Sequence, residues 1–168
     1  MRVRDLMTTD VMTLGADDPM VTARELMGFR RVRHLPVLED GKLVGLVTHR
    51  DLLRGALSPF ADNNRVDRMV HDATLTAREI MHTEVSTCSP DDELAAAAER
   101  MASSRYGCLP VVEEGRLVGI VTEADFMRLT AVLLRHLAAT EPTYVDTVRD
   151  LMLPAELGAP APPPWRKG

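Results

Sequence analysis

The 168-residue sequence has little cysteine, few aromatic residues and no excess of basic charge. Two cysteines, Cys88 and Cys108, are too few for a disulfide framework, which favours a reducing compartment. One Trp, two Tyr and three Phe do not provide a base-stacking platform. With 20 Lys and Arg against 25 Asp and Glu, the net charge of −5 disfavours direct binding to nucleic acid or to an anionic membrane.

Membrane-spanning runs and catalytic motifs are missing as well. The longest uncharged apolar run, around residues 129–134, is far shorter than the ~20 residues that span a bilayer. Residues 1–10 lack the apolar core of a signal peptide. There is no nucleophile elbow, no P-loop and no carboxylate pair with a histidine. We therefore expect a cytoplasmic globular protein that is neither an enzyme nor a membrane protein.

The histidines and cysteines do not indicate a metal site or a reactive thiol. Most of the histidines lack metal-ligand spacing and are predicted to be solvated or to cap helices: His49, His71, His82 and His136. Because no histidine or basic cluster lies near them in the sequence, Cys88 and Cys108 are predicted to be small buried residues. We expect no metal cofactor.

An internal repeat is the main feature that the sequence does have. A shift of 74 positions places Arg4 on Arg78 and continues without a gap until Arg54 falls on Arg128. The clearest matches are Leu35–Val37 with Leu109–Val111, Leu43–Thr48 with Leu117–Thr122, and Asp51 with Asp125. The chain therefore contains a duplicated unit.

Each copy predicts the same order of elements, β-α-β-β-α. A brief strand is predicted at residues 10–14 and 84–88, and helix starts follow at Asp17-Asp18-Pro19 and Ser89–Asp92. Two apolar strands joined by an Asp-Gly or Glu-Gly turn come next, and then a second helix. The first helix of each copy has an apolar stripe, namely Met20, Ala23 and Met27, or Leu94, Ala97, Ala98 and Met101. Because a unit of about 50 residues cannot bury its sheet alone, we expect the copies to pack together.

The repeat defines the expected domain organisation. We predict repeat 1 at residues 1–57, a linker at 58–76, repeat 2 at 77–139, and a partly disordered extension at 140–168. Within the extension, Val148–Met152 repeats Val3–Met7 residue for residue. It is either the relic of a third repeat or a segment that docks where Val3–Met7 docks, and burial of Leu151 and Met152 slightly favours docking.

Two β-α-β-β-α units, each with Leu-Pro-Val and Gly-x-Val-Thr-x-x-Asp, resemble the tandem cystathionine-β-synthase-type (CBS) domain pair. The resemblance covers residues 3–137. Arg-His-Leu-Pro-Val, Gly-Cys-Leu-Pro-Val and the Val-x-Asp-Leu-Met opening are most similar to bacterial proteins of the acetoin-utilisation B type, without their C-terminal regulatory domain. The resemblance implies an α+β fold, with the repeats packed about a pseudo-two-fold axis, and assembly as a homodimer.

The resemblance also implies a regulatory function, because CBS pairs commonly bind adenosyl ligands in two clefts. AMP, ADP, ATP and S-adenosylmethionine are the ligands it suggests. It implies that Asp51 and Asp125 accept hydrogen bonds from ribose hydroxyls and that Thr48 and Thr122 donate to phosphate. It also places against the base the residues that precede and include each Leu-Pro proline: Arg33, His34 and Pro36, and Gly107, Cys108 and Pro110.

The chemistry of the strand-to-helix turn supports an anion site independently. Such a turn directs free backbone N–H groups and the positive end of the helix outward. Arg50 adds a fork of donors suited to phosphate. The second copy has Ala124 at that position and Glu123 beside it, which would repel phosphate. We therefore expect the cleft with Asp51 to be the stronger site.

Simpler interpretations remain open for each of these residues. Thr-x-x-Asp is also a helix-capping box worth about 1 kcal/mol, and it needs no ligand. His34 either stacks on a base or fills the mouth of the cleft. The whole pair is alternatively a ligand-independent dimerisation or protein-interaction scaffold. The identity of the ligand and that of the effector partner do not follow from the sequence.

Overall fold

The computed structural model describes residues 1–56, 74–104 and 106–140. Residue 57 of repeat 1, residues 58–73 of the predicted linker, and the extension beyond residue 140 with Val148–Met152 lie outside the described residues.

The described residues form the mixed α+β architecture expected of two β-α-β-β-α units. A 3-10 turn at Val3–Asp5 opens the chain. The first repeat then contains β1 (Leu14–Gly15), α1 (Met20–Arg30), β2 (His34–Glu39), β3 (Lys42–Thr48) and α2 (His49–Ala56). The second contains α3 (Ala77–Ile80), α4 (Leu94–Ser104), β4 (Cys108–Glu113), β5 (Arg116–Thr122) and α5 (Glu123–Thr140). The α+β fold class is confirmed.

Each repeat has its own small sheet. In the first, β2 lies between β1, which is parallel to it, and β3, which is antiparallel. In the second, β4 and β5 pair in the same antiparallel register. The opening strands are much shorter than predicted: only Leu14 and Gly15 form a strand, and Cys88 makes one isolated bridge to Val111. The residues before Cys88 leave the sheet because they line a cavity described below.

The two hairpins form as their turn residues predict. Asp40 and Gly41 have positive φ angles of 50° and 74°, and Glu114 and Gly115 have 49° and 78°. Two left-handed residues in a two-residue loop match the right-handed twist of the flanking strands. The turns therefore set the strand register locally in both repeats.

The predicted helix stripes are buried. Met20, Ala23 and Met27 in α1 and Leu94, Ala97 and Met101 in α4 all belong to the core, while Ala98 is only half-buried. They cover strand residues that are fully inaccessible: Leu35, Val37, Val47, Leu109, Val111 and Val121. Each large side chain of this kind contributes about 1.5–3 kcal/mol by leaving water. The core is aliphatic, as the scarcity of aromatic residues requires.

The opening segment of the first repeat packs on the second repeat. The Val3 N–H donates to the Asp92 carbonyl at 3.0 Å, and the Arg4 N–H donates to the Pro90 carbonyl at 3.0 Å. Thr8 then forms an antiparallel bridge with Ile120 in β5. Val3 itself is fully buried.

The opening segment of the second repeat makes the equivalent contacts with the first repeat. The Ala77 N–H donates to the Asp18 carbonyl and the Arg78 N–H to the Ala16 carbonyl, both at 2.8 Å. His82 forms the antiparallel bridge with Leu46 in β3. Since each repeat supplies backbone partners that the other needs, the expectation that the copies pack together is confirmed.

The chain beyond Asp125 forms a separate compact unit, of which the structure describes the rest of α5. Several large apolar side chains on this helix are exposed: Met127, Val132, Leu133 and Leu134. Among the residues that the structure describes, no helix has both the length and the apolar composition needed to cross a membrane.

Candidate ligand-binding site

The Thr-x-x-Asp motif of the first repeat forms a helix cap. The Thr48 N–H donates to Asp51 Oδ2 at 2.8 Å, and the Thr48 hydroxyl donates to the same oxygen at 2.5 Å. The second repeat reproduces this geometry at 2.8 and 2.7 Å between Thr122 and Asp125. Both aspartates are buried. The capping interpretation of the motif is confirmed, and the carboxylates are held in fixed positions at the two helix starts.

A second backbone contact brings the Leu-Pro segment to each helix start. The His49 N–H at the beginning of α2 donates to the Arg33 carbonyl at 2.9 Å. Likewise, the Glu123 N–H at the beginning of α5 donates to the Gly107 carbonyl at 3.2 Å. The residue pairs that precede β2 and β4 are therefore fixed beside the Thr-x-x-Asp turns.

A cavity of about 1220 Å³ lies at the start of α2. Seven of the residues predicted to bind ligand line it together: Arg33, His34, Thr48, Arg50, Asp51, Gly107 and Cys108. Thr122 and Asp125 do not line this cavity. Pro36 and Pro110 are fully buried within β2 and β4, and they do not line it either.

Sequence reasoning missed a whole wall of this cavity. Residues 81–86, which follow α3, also line it, and so do Tyr106 and Glu123. These residues arrive there because the opening segment of the second repeat crosses β3 at Leu46. The available signal was the 74-residue offset, which places His82 on Thr8 and so predicts that the two opening segments make equivalent contacts.

His82 is the most important of the missed residues. Predicted to be solvated or to cap a helix, it instead contacts Asp51, with 2.8 Å between His82 Nε2 and Asp51 Oδ1. The His82 side chain is 55% exposed, whereas that of Asp51 is 6% exposed. Asp51 therefore has Thr48 on one carboxylate oxygen and His82 on the other.

His34 forms a flat side of the cavity against Gly107. A Cβ atom at Gly107 would lie only 2.6 Å from His34 Nε2, so the ring occupies space that only a glycine leaves open. Burial lowers the pKa of the His34 imidazole below its usual 6.5; nearby Glu123 opposes this shift and Arg33 adds to it. A neutral ring in this position is compatible with stacking on a base and with filling the mouth of the cleft.

The lowered pKa of His34 predicts a pH effect on stability. Below pH 6.5 the unfolded chain binds the proton at this residue more readily than the folded protein does, so stability falls as the pH drops through this range. We expect the free energy of unfolding to decrease more between pH 7.5 and 5.5 in the wild type than in His34→Gln. Urea unfolding at both pH values measures the difference. Equal losses in the two proteins would contradict the prediction.

Three arginines contribute positive charge to the cavity. Arg33, Arg50 and Arg54 line it, their side chains are exposed, and no ion pair within the described ranges engages them. Glu84 and Glu123 lie on other parts of the wall. Arg50 places positive charge at the start of α2, where the helix dipole adds to it, and Arg54 contributes a second cation from the last turn of the same helix.

The two thiols behave as predicted. Both are buried, and Cys108 lies on the cavity wall. Burial raises the pKa of Cys108 to about 12 and that of Cys88 to about 11. Such thiols are protonated at neutral pH and are poor nucleophiles. Across the described ranges, no group of three or more His, Cys, Asp or Glu side chains is placed to hold a metal ion.

Comparison with known proteins agrees with this geometry. A model of the CBS domain family matches residues 3–58 and again residues 77–131. The chain belongs to the CBS domain family. The protein MJ1225 of Methanocaldococcus jannaschii is 33% identical to this CBS pair over 131 residues, which are 77% of this chain and 47% of that protein. The chain thus spans about half the length of that relative.

Solved structures resemble the pair over most of its length. The AcuB protein of Vibrio cholerae superposes with a TM-score of 0.71 and 34% identity, over 84% of this chain and 98% of that one. The recognition of a CBS pair similar to the acetoin-utilisation B type is therefore confirmed.

Two further structures of the same fold contain ligands. The CBS pair of protein MJ0100, with a TM-score of 0.64 and 26% identity over 78% of this chain and 96% of that one, was solved with 5′-methylthioadenosine and S-adenosylmethionine. CBSX2, with a TM-score of 0.65 and 25% identity over 77% of this chain and 96% of that one, was solved with AMP.

Proposed function

We propose that this protein is a regulatory module, not an enzyme, and that it binds an adenine nucleotide in the cavity beside Asp51. The observation that carries the proposal is the convergence on one cavity of a helix start, a fixed carboxylate and exposed arginines that form no ion pair with the described part of the chain. Relatives of this fold bind AMP, S-adenosylmethionine and methylthioadenosine, and all of these share an adenosine unit.

The phosphate belongs at the start of α2. Arg50 supplies charge-assisted donors there, and the helix dipole favours an anion at the same place, while Arg54 adds a guanidinium from the last turn of the helix. The Thr48 hydroxyl already donates to Asp51 Oδ2, so a phosphate oxygen would compete with Asp51 for this proton. A nucleoside phosphate therefore fits this wall better than a sulfonium cation does.

The ribose and the base belong on the remaining walls. Asp51 lines the cavity and its Oδ1 is the acceptor for a ribose hydroxyl, while the half-buried His34 and the exposed Tyr106 offer ring faces to a base. The proposed contacts of the second cleft involve Thr122 and Asp125. The second cleft lacks these cations, because Glu123 and Ala124 occupy the positions of His49 and Arg50 in the first repeat. We propose that nucleotide binds there more weakly.

A thermal-stability panel tests the function. A ligand present at 100 times its Kd stabilises the fold by about 2.7 kcal/mol, which raises the melting temperature measurably. We expect AMP, ADP or ATP to raise it more than S-adenosylmethionine does, because only the phosphates engage the arginines. Millimolar concentrations of all four without any shift would refute adenosyl sensing.

The alternative function is a ligand-independent assembly scaffold. The exposed apolar side chains of α5, such as Met127 and Leu134 at 70% and 54% exposure, favour association with another chain or an effector protein. The two functions differ in one measurement. A sensor changes its mass or shape in size-exclusion chromatography with light scattering when AMP is added, whereas a scaffold is a homodimer with or without nucleotide.

A further inference from the structure

The carboxylate of Asp51 is shared among three donors before any ligand contacts it. Oδ2 accepts the Thr48 N–H and the Thr48 hydroxyl, and Oδ1 is 2.8 Å from His82 Nε2. Asp51 lines the cavity and is 6% exposed, and because Oδ2 already accepts two hydrogen bonds, we expect a molecule in the cavity to reach the carboxylate through Oδ1. His82 covers that oxygen.

The position of His82 depends on the exchanged opening segment. The His82 backbone pairs with Leu46 in both directions, at 2.9 Å for the Leu46 N–H and 3.0 Å for the His82 N–H. Its backbone is therefore anchored to β3, but its side chain is more than half exposed. Because solvent reaches the ring, the hydrogen bond to Asp51 can be exchanged for one to water or to a ligand without moving the backbone.

The two repeats differ at this position. The 74-residue offset pairs His82 with Thr8, which forms the equivalent bridge to Ile120. The backbone arrangement is thus common to both repeats, whereas the imidazole is particular to the cleft of Asp51. A purely structural role in the bridge does not require histidine, because threonine forms the same bridge.

We infer that His82 competes with the ribose of a bound nucleotide for Asp51 Oδ1 and thereby sets the affinity and the sugar preference of this cleft. The inference rests on the proposed binding of an adenosine ligand here. A ribose diol donates two hydrogen bonds, and it displaces one charge-assisted contact from His82 when it binds. A ligand that lacks the diol leaves the hydrogen bond between His82 and Asp51 in place. His82 therefore does not change the affinity of such a ligand.

The test compares AMP with 2′,3′-dideoxy-AMP by isothermal titration calorimetry on the full chain. In His82→Ala we expect AMP to bind about tenfold more tightly than in the wild type, equivalent to about 1.4 kcal/mol. The dideoxy analogue is expected to bind both proteins equally. Thr83→Ala, an exposed neighbour on the same wall, is the matched control and should show no selective gain for AMP.

The possible outcomes separate the inference from the proposed function. If AMP binds the wild type but His82→Ala gives no gain, a loss, or an equal gain for the dideoxy analogue, then His82 does not compete with ribose and only the inference fails. If AMP binds neither protein, the proposed function fails and the inference fails with it. His82→Thr, which installs the residue of the first repeat, provides a second variant with the same expected direction.

Discussion

Asp51→Ala is expected to remove the stabilisation of the protein by AMP. At 100 times Kd the wild type gains about 2.7 kcal/mol from the nucleotide, and the variant is expected to gain almost nothing at the same concentration. The physical reason is the loss of the ribose acceptor together with the fixed position of Thr48, which the carboxylate holds by two hydrogen bonds. Urea unfolding with and without AMP measures both gains.

A matched control separates the effect of losing nucleotide binding from the effect of losing a helix cap. The Thr76 N–H donates to Glu79 Oε2 at 2.8 Å in a capping box of the same type, which does not line the cavity. Without nucleotide, Asp51→Ala should cost about 1 kcal/mol, and Glu79→Ala should also lower the stability, because each removes the carboxylate of a capping contact. Only Glu79→Ala should keep the full AMP response. An Asp51→Ala protein that is still stabilised by AMP would place the nucleotide elsewhere.

Gly45→Ala and Gly119→Ala are each expected to destabilise the protein by about 1–3 kcal/mol through overpacking. A Cβ at Gly45 would lie 2.8 Å from Met81 Cγ and 3.1 Å from the His82 carbonyl oxygen. At Gly119 it would lie 3.1 Å from the Thr8 carbonyl oxygen. These carbonyls belong to backbone that is hydrogen-bonded to the strand, so it cannot move aside cheaply.

Gly28→Ala is the control for this pair. Gly28 lies on the exposed side of α1, and a Cβ there would have no neighbour within 4 Å. Because alanine is the better helix former, this substitution should stabilise the protein by about 0.5–1 kcal/mol. Urea denaturation of the three variants gives the comparison. Gly45→Ala or Gly119→Ala proteins as stable as the wild type would mean that the crossing segments pack loosely.

The parts of the fold that could be predicted from the sequence depend on local chemistry. Asp40-Gly41 and Glu114-Gly115 determine their turns through backbone conformation alone, and the α1 and α4 stripes follow from helical spacing. The capping geometry of Asp51 is equally local, since its partner lies three residues away. The repeat predicted the remaining elements, because a helix or strand assigned in one copy is expected at the equivalent residues of the other.

The parts that could not be predicted depend on contacts between distant segments. His82 meets Asp51 across 31 positions of sequence, and it does so only because an opening segment crosses to the other repeat. Pro36 was expected beside the base, but β2 is the middle strand of its sheet and is covered on both faces. Proximity in sequence to His34 therefore did not bring Pro36 to the cavity.

The exchange of opening segments also bears on how such a chain could arise. A single unit of this kind would leave the backbone groups at Ala16 and Asp18 without the partners that Ala77 and Arg78 supply. Two separate single-unit chains would satisfy those groups if the first residues of each chain packed on the other chain. Joining them end to end then alters only the connectivity, because every hydrogen bond across the boundary already exists. Gene duplication and fusion would in this way have converted an intermolecular exchange into an intramolecular one, and the two halves became free to diverge at single positions such as Thr8 and His82.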